Sequence, residues 1–276
     1  MKFDCFVVRY SEIGLKGRGT RLMMENLLIR SIQTALYKAN LKGKVRKSHS
    51  RIIIDNDNKK LIHELKFIPG IASYSLCLKK EFNNVYDGVK KVVKEKKPKN
   101  FRISSQRINK NLSKTSIWYN MDLGARVVDD FGLRVKLKNP ELNVGIEFID
   151  AAYIFTKKYA GIGGLPQNRR NTFSALIDSK KSLVAALLLI KRGLFPTFYC
   201  IKGSYADELD DFLFYDYDII SIDDWVDVEG RVICVGWGLE KLNRIIALKE
   251  RGCLVLTPVV NSDATFINNY KTFLNK

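Results

Sequence analysis

Apolar runs and helical stripes alternate along this chain in an order that divides it into three parts. Residues 3–9 (Phe-Asp-Cys-Phe-Val-Val-Arg) read as a buried strand. A basic loop follows, Gly14-Leu15-Lys16-Gly17-Arg18-Gly19. From Thr20 to about Ala39, Leu22, Ile29, Ile32 and Leu36 recur at helical spacing and predict an inward stripe. Residues 44–55 read as a strand pair ending in Arg51-Ile52-Ile53-Ile54, Lys59 to Leu65 as a short helix, and Pro69-Gly70 as a turn. Ile71 to Leu78 reads as a strand. The order β-α-β-β-α-β is that of a ferredoxin-like split βαβ sandwich.

A second part begins near Glu81. Val85, Val89, Val92 and Val93 make one helical face, and Lys90, Lys91, Lys94, Lys96, Lys97 and Lys99 the other. Phe101 to Arg107 reads as a strand. Residues 114–131 read as a helix with Ile117, Met121, Val128 and Phe131 inward, and 142–148 and 152–157 as two strands joined near Asp150. Gly161-Ile162-Gly163-Gly164-Leu165-Pro166 has the composition of a linker. Beyond it, strands fit Thr172–Leu176, 197–201, 218–222, 231–236 and 253–258. Helices fit Leu183 to Arg192, about 239–250 and 263–274. Short apolar strands alternating with helices predict a parallel α/β sheet.

The composition is globular: 276 residues, 46% hydrophobic and 28% charged, which excludes disordered, collagen-like and coiled-coil chains. Five dispersed cysteines and two histidines, with no CxxC pair, supply no metal-ligand set, so no metal is expected. Cys200 and Cys234 fall inside predicted strands and Cys253 begins one, which fits inert thiols in a reducing compartment. No apolar run approaches membrane-spanning length, and the N-terminus lacks a signal-peptide pattern. A cytoplasmic protein without a membrane partner is expected.

Charge changes the picture more. Residues 1–170 carry 35 Lys/Arg against 15 Asp/Glu, and residues 171–276 carry 12 against 14. The whole +18 excess therefore sits in the first two parts. Segregation of this kind fits a polyanion-binding module joined to a neutral one, with nucleic acid the favoured polyanion.

Four ordered segments resemble one family. Val8-Arg9-Tyr10-Ser11-Glu12-Ile13-Gly14-Leu15-Lys16-Gly17 is similar to the opening of the tRNA 4-thiouridine synthases, or tRNA sulfurtransferases. Gly70-Ile71-Ala72-Ser73-Tyr74-Ser75 resembles the close of that family's ferredoxin-like domain. Leu137-Lys138-Asn139-Pro140-Glu141 with Val144 to Phe148 resembles its THUMP signature, and Gly161 to Pro166 its linker. The resemblance implies a ferredoxin-like domain at 1–76, a THUMP domain at 77–164, and an α/β PP-loop (Rossmann-like) domain at 165–276. It also implies that the first two dock the acceptor end of tRNA. In the family, the third uses ATP to adenylate a uridine, and a cysteine persulfide delivers sulfur.

The third part departs from that pattern. A PP-loop reads Ser-Gly-Gly-x-Asp-Ser, its glycines letting backbone amides approach pyrophosphate at a helix N-terminus. Aligned on Asp-Ser, the loop here is Ser174-Ala175-Leu176-Ile177-Asp178-Ser179. Aligned on the helix beginning at Ser182, which keeps strand and helix in phase, it is Ile177-Asp178-Ser179-Lys180-Lys181-Ser182. Both registers lack the glycines. Asp178, Ser179, Lys180, Lys181 and Ser182 are then either a remodelled anion site or an ordinary helix cap with solvated lysines. The family's persulfide cysteine has no counterpart, so no catalytic residue is assigned. Ten acids and no Lys or Arg occupy residues 207–229. That run reads as a solvated face that repels RNA.

The residues expected to contact RNA are Lys16, Arg18 and Arg21 in or beside the glycine-rich loop. Arg102, Arg107, Lys110 and Lys114 lie along and after the central strand of the second part, and Lys136 and Lys138 precede Asn139-Pro140. The lysines between 90 and 99 are equally a solvated face. The sequence thus predicts a tRNA-binding relative of the sulfurtransferases, with no cofactor and with adenylation and sulfur transfer lost. Its partners would be tRNA and a modifying enzyme or sulfur donor, with a homodimer allowed. The alternative is an active sulfurtransferase using ATP and Mg, completed by a second chain or donor. A tRNA chaperone is a third reading.

Overall fold

The structure, a computed structural model, describes residues 2–202, Leu209 and residues 217–268. Cα packing divides it into two compact units. The first holds Met1–Gly14, Leu36–Lys66 and Ala72–Gly161; the second holds Leu15–Ala35, Phe67–Ile71 and Ile162–Lys276.

Unit 1 is built on β1 (Cys5–Arg9), β2 (Lys44–Ser48), β3 (Arg51–Asp55), β4 (Ser73–Lys80), β5 (Asn100–Arg107), β6 (Arg134–Val135), β7 (Leu142–Phe148), β8 (Ala152–Phe155) and β9 (Tyr159–Ala160). They form one nine-stranded sheet in the order β2-β3-β1-β4-β8-β7-β5-β6, with β9 on β4. All five β1 residues are buried, and the strand is hydrogen-bonded on both edges, to β3 and β4. That environment explains its unbroken apolar run. β4 spans the expected boundary at 76/77: its first half pairs with β1 through Cys77 and its second with β8 from Leu78. The two predicted sandwiches therefore share one strand.

The helices over the same stretch of chain are α1 (Arg18–Lys38), of which all but the last turn belongs to unit 2, and α2 (Leu61–Lys66), α3 (Val85–Lys96) and α4 (Ser116–Phe131) of unit 1. On α3, Val85, Val89, Val92 and Val93 are buried as expected. They join Phe101, Leu123, Val127, Val144, Ile146 and Phe148 in one core cluster. Two expected stripes are corrected. On α1, Leu22 is exposed, and Leu28 is buried together with Ile32 and Leu36. On α4, Ile117 and Met121 are each 70% exposed and Val128 38%, while Phe131 is only half-buried; the inward residues are Leu123, Gly124 and Val127. The helix has apolar residues on two faces, and periodicity alone selects the wider one. Thr115 caps α4 by accepting from the Trp118 amide, and Gly132 ends it at φ 63°.

Unit 2 carries the predicted parallel sheet: β10 (Thr172–Ile177), β11 (Phe195–Ile201), β12 (Ile219–Ile222), β13 (Val232–Cys234) and β14 (Leu254–Leu256), in the order β12-β11-β10-β13-β14. Its described helices include α5 (Lys180–Lys191) and α6 (Leu242–Glu250). The chain winds outward from β10 to β12 and then returns to place β13 beside β10. This is a doubly wound topology, and ligands of such sheets bind where the strand order reverses, beyond the carboxyl ends of the two central strands. The helix expected at 263–274 is seen at 264–268, and its remainder lies outside the described residues. So do Asp207, Glu208, Asp210, Asp211 and Asp216 of the acidic run. No helix among the described residues is long and apolar enough to cross a membrane.

Candidate functional site

Two places gather the residues that the sequence singles out: the β5 edge of unit 1 and the strand-order reversal of unit 2.

Along β5 the cations form two groups. Arg102 lies near the start of the strand and donates from Nη1 to the Leu137 carbonyl at 3.1 Å. The Lys136 amide donates to the Phe101 carbonyl. Arg102, Lys136 and Lys138 are thereby brought together on one exposed edge. At the far end of β5, Arg107 donates from Nη1 to the carbonyls of Leu112 (2.7 Å) and Lys114 (3.3 Å). Its guanidinium braces the loop that presents Lys110 and Lys114, both exposed. Five residue steps along the strand separate Arg102 from Arg107, about 17 Å at the usual rise.

Lys16 and Arg18 belong to unit 2, where every residue from Gly14 to Thr20 is exposed. A Cβ on Gly17 or Gly19 would meet nothing within 4 Å, and neither has a positive φ. The fold itself therefore makes no demand for glycine at either position. Arg21 differs from its neighbours: Nε pairs with Glu25 Oε1 at 2.9 Å, and the Glu25 side chain is fully buried. Part of its charge is spent inside the fold.

Buried ion pairs join β1, β3 and β7. Glu147 Oε1 accepts from Arg9 Nε, and Oε2 accepts from Arg51 Nε at 2.6 Å. Arg9 Nη1 donates to Ser75 Oγ at 3.1 Å, and its guanidinium lies 4.8 Å from the Phe155 ring centroid. Arg9 is 5% exposed and Glu147 3%.

At the reversal in unit 2, β10 runs into the turn Asp178-Ser179 and α5 starts at Lys180, two residues before the helix-based register places it. Ser179 is the N-cap, and with Ser182 it forms a reciprocal capping box. Ser182 Oγ accepts from the amides of Asp178 and Ser179, both at 3.0 Å. The Ser182 amide in turn donates to Ser179 Oγ at 3.2 Å. Backbone just beyond β13 packs against the first turn of α5. An ideal Cβ on Gly236 would sit 2.1 Å from the Ser182 nitrogen, so only glycine allows that approach.

Next in the chain, Trp237 is 1% exposed and donates from Nε1 to Asp178 Oδ2 at 2.6 Å. Lys241 Nζ reaches the same oxygen at 3.1 Å. Burial pushes the Asp178 carboxyl up, but the Trp237 and Lys241 donors outweigh it and hold its pKa below the usual carboxylate range. Glu240 accepts from the Gly238 amide at 3.0 Å. Donors from Glu240's own amide and Gly238, with the Lys181 and Lys241 charges nearby, hold its pKa down too. Two carboxylates thus stand among the cations beside the turn. Trp237, Gly236, Glu240 and Lys241 were not marked by the sequence reading. The available signal was Gly236-Trp237-Gly238 directly after an apolar strand.

Two of the cysteines lie on the strands beside this turn: Cys200 is the register partner of Ile177, and Cys234 ends β13. Cys5, Cys77, Cys200 and Cys234 are free and buried, and Cys253 is half-buried. Burial pushes Cys234 up to about 12 and raises Cys200, which disfavours thiolate. Among the described residues no group of three His, Cys, Asp or Glu could hold a metal ion.

Comparison with known proteins places this geometry. Residues 5–75 match the ThiI ferredoxin-like domain, and residues 79–157 match the THUMP domain. A probable tRNA sulfurtransferase from Methanocaldococcus jannaschii is 35% identical over 201 residues, covering 68% of this chain and 53% of that protein. One from Mycoplasmopsis pulmonis is 32% identical, covering 75% of this chain and 55% of that protein. The chain spans about half the length of the curated relatives it matches. A crystal structure from Pyrococcus horikoshii Ot3 superposes with a TM-score of 0.80 at 24% identity, covering 99% of this chain and 100% of that one. A 4-thiouridine synthetase–RNA complex with bound ATP superposes with a TM-score of 0.69 at 22% identity, covering 99% of this chain and 85% of that one. These two share the fold. With its ferredoxin-like and THUMP domains in sequence and its doubly wound third part in structure, the chain belongs to the ThiI-type tRNA sulfurtransferase family.

Proposed function

We propose that this chain is a cytoplasmic tRNA-binding protein that docks the acceptor end of tRNA through its ferredoxin-like and THUMP parts and carries out neither adenylation nor sulfur transfer itself. The observation that carries the reading is the Ser182 hydroxyl, which accepts the two amides that open the turn after β10. Those amides are what a PP-loop offers to pyrophosphate. Here they are bonded within the chain, Gly236 packs against the first turn of α5 at Ser182, and Asp178 and Glu240 put negative charge beside the place of a phosphate. Lys180 and Lys181 then flank a cap rather than an anion. No ATP or Mg is needed for the proposed role.

RNA binding is supported by the charge excess of residues 1–170 and by the two cation groups on β5. Lys16 and Arg18 would meet a phosphate beside Gly17 and Gly19, where open glycine backbone lets a ligand approach closely. Lys110, Lys114, Lys136 and Lys138 would contact further phosphates, with Arg102 and Arg107 holding the segments that carry them. A-form RNA hides its bases in a deep major groove, so such contacts read backbone shape. The partner that modifies the docked tRNA would be a separate enzyme or sulfur donor.

The sulfurtransferase relatives favour one second reading, a sulfurtransferase completed by another chain. Purified protein, ATP and unmodified tRNA separate the two. The proposal expects no heat of ATP binding at millimolar nucleotide and no pyrophosphate release, alongside tRNA binding that falls steeply with salt. Pyrophosphate release dependent on tRNA would overturn it.

A further inference from the structure

The amino ends of the unit 2 strands hold a feature that neither the turn at Asp178 nor the cations of unit 1 uses. A cleft of about 260 Å³ opens there, between β10 and the strands on either side of it. It lies at the opposite end of the sheet from the strand-order reversal, so it is separate from the site that a doubly wound fold ordinarily provides. Its walls include Thr172 and Ser174 of β10, Thr197 of β11, and Gly230 and Arg231 ahead of β13. Ser174 lies in register with Thr197 on one side and Ile233 on the other, so Thr172, Ser174 and Thr197 share one face of the sheet. Ser174 is 8% exposed, and its Oγ donates to the Glu229 carbonyl at 2.5 Å. Gly230 follows at φ 122°, where a Cβ would sit 2.3 Å from Ser174 Oγ. The backbone that carries Arg231 is therefore held against β10 by a buried hydroxyl and a glycine.

Charge and size say what the cleft would take. Arg231 is the one charged residue among the seven that line it. Among the described residues, neither its guanidinium nor the Thr172 and Thr197 hydroxyls has a hydrogen-bond or ion-pair partner. The adjoining acid, Glu229, does not line the cleft; it acts on Tyr199, whose pKa burial and the Glu229 charge raise together. α5 and α6 also end on this side of the sheet, where their negative poles would oppose an anion. Their last-turn carbonyls are already engaged, that of Ile190 by the Gly193 amide and that of Lys249 by the Gly252 amide. An unneutralised guanidinium beside two unused hydroxyls, in a space too small for a drug-sized ligand, suits one tetrahedral oxyanion.

We propose that Arg231, Thr172 and Thr197 form a binding site for a single phosphate group, Arg231 supplying the charge and the two threonine hydroxyls donating to the phosphate oxygens. Inorganic phosphate and the backbone phosphate of an RNA share this chemistry, and the test separates them.

The full chain is titrated with inorganic phosphate at constant ionic strength, with chloride as the control, and backbone amide shifts are followed by NMR. Saturable shifts at Thr172, Thr197, Gly230 and Arg231, absent with chloride, are expected. Arg231→Gln should weaken phosphate binding at least about tenfold, because it removes a charge-assisted hydrogen bond. The near-isosteric Thr172→Val/Thr197→Val should weaken it about fivefold or more. Neither variant should lower the melting temperature, since the replaced groups bond to nothing in the fold. Displacement of phosphate by tRNA, with weaker tRNA binding in Arg231→Gln, identifies the group as RNA backbone. Loss of phosphate binding in Arg231→Gln with tRNA affinity unchanged identifies a free phosphate. Shifts that never saturate, equal shifts with chloride, or an unchanged phosphate affinity in Arg231→Gln overturn the site.

Discussion

Glu147 joins three strands of unit 1 through one buried carboxylate. It lies on β7, 3% exposed, between the guanidinium of Arg9 on β1 and that of Arg51 on β3. Replacing it by alanine leaves the buried Arg9 and the half-buried Arg51 without their shared counter-charge. Removing one partner of such a pair costs about 3–5 kcal/mol, a large part of the ~5–15 kcal/mol that holds a typical domain. Native-state hydrogen exchange reads the loss locally. Amides of β1, β4 and β7 that open only with the whole sheet should exchange roughly a hundredfold faster or more in Glu147→Ala. Replacing all three charges by apolar residues of similar volume, as in Arg9→Met/Glu147→Leu/Arg51→Met, removes the desolvation cost with the attraction, so the triple variant should be more stable than Glu147→Ala. A change below about 1 kcal/mol in the single variant, or a triple variant worse than the single, would refute the reasoning, because the network would then behave as a solvated surface pair.

Other consequences can be checked separately. Asp178 has a folded pKa below its unfolded one, so its stabilisation is present above the unfolded value of ~4 and is lost as pH falls through the folded value. Thermal melts from neutral to acid pH should therefore show a smaller acid loss in Asp178→Asn than in the wild type; parallel curves would contradict the Trp237–Asp178–Lys241 assignment. Gly236→Ala places a Cβ 2.1 Å from the Ser182 nitrogen and should lower stability by about 1–3 kcal/mol in urea titration, where a neutral result would mean that the turn is not closed. Charge reversal of Lys16 and Arg18 should weaken tRNA binding severalfold at physiological salt with no change in melting temperature, since both are exposed; an unchanged dissociation constant removes that loop from the interface. Arg21→Glu should also destabilise the fold, because it sets a second carboxylate against the buried Glu25.

The elements and their order were legible because their signals are local. β1 and β3 carry the apolar runs Cys5–Val8 and Ile52–Ile54, and α3 has a clean valine face. What escaped depends on partners far along the chain. Arg9 stands in the most distinctive stretch of the sequence, yet its role comes from Glu147, 138 residues away. The turn at Asp178 was singled out, and its ambiguity between anion site and cap could not be resolved from within. The groups that bear on it, Gly236 against Ser182 and Trp237 on Asp178, come from far along the chain, 59 residues beyond Asp178 in the case of Trp237. α4 misled because it carries two apolar faces, and a periodic count cannot tell which one meets the core.

The shared strand bears on how unit 1 would hold RNA. Two domains on a flexible linker would have to be ordered on binding, and that ordering would be subtracted from affinity. In unit 1, β4 is hydrogen-bonded to β1 along its first half and to β8 along its second, so bending at the joint breaks ladder bonds. The Arg9–Glu147–Arg51 cluster ties β1 and β3 to β7 by a second route. The cation groups at the two ends of β5 belong to the same sheet, in register with β7 from Phe101 to Arg107. Their ~17 Å spacing is therefore set before any ligand arrives. A fixed spacing of cations discriminates by backbone geometry, which is how an A-form helix can be recognised without reading its bases. Loosening the joint through Glu147 should accordingly weaken RNA binding even though Glu147 is buried and touches no RNA, whereas loss of Lys136 or Lys138 should weaken it without loosening the sheet.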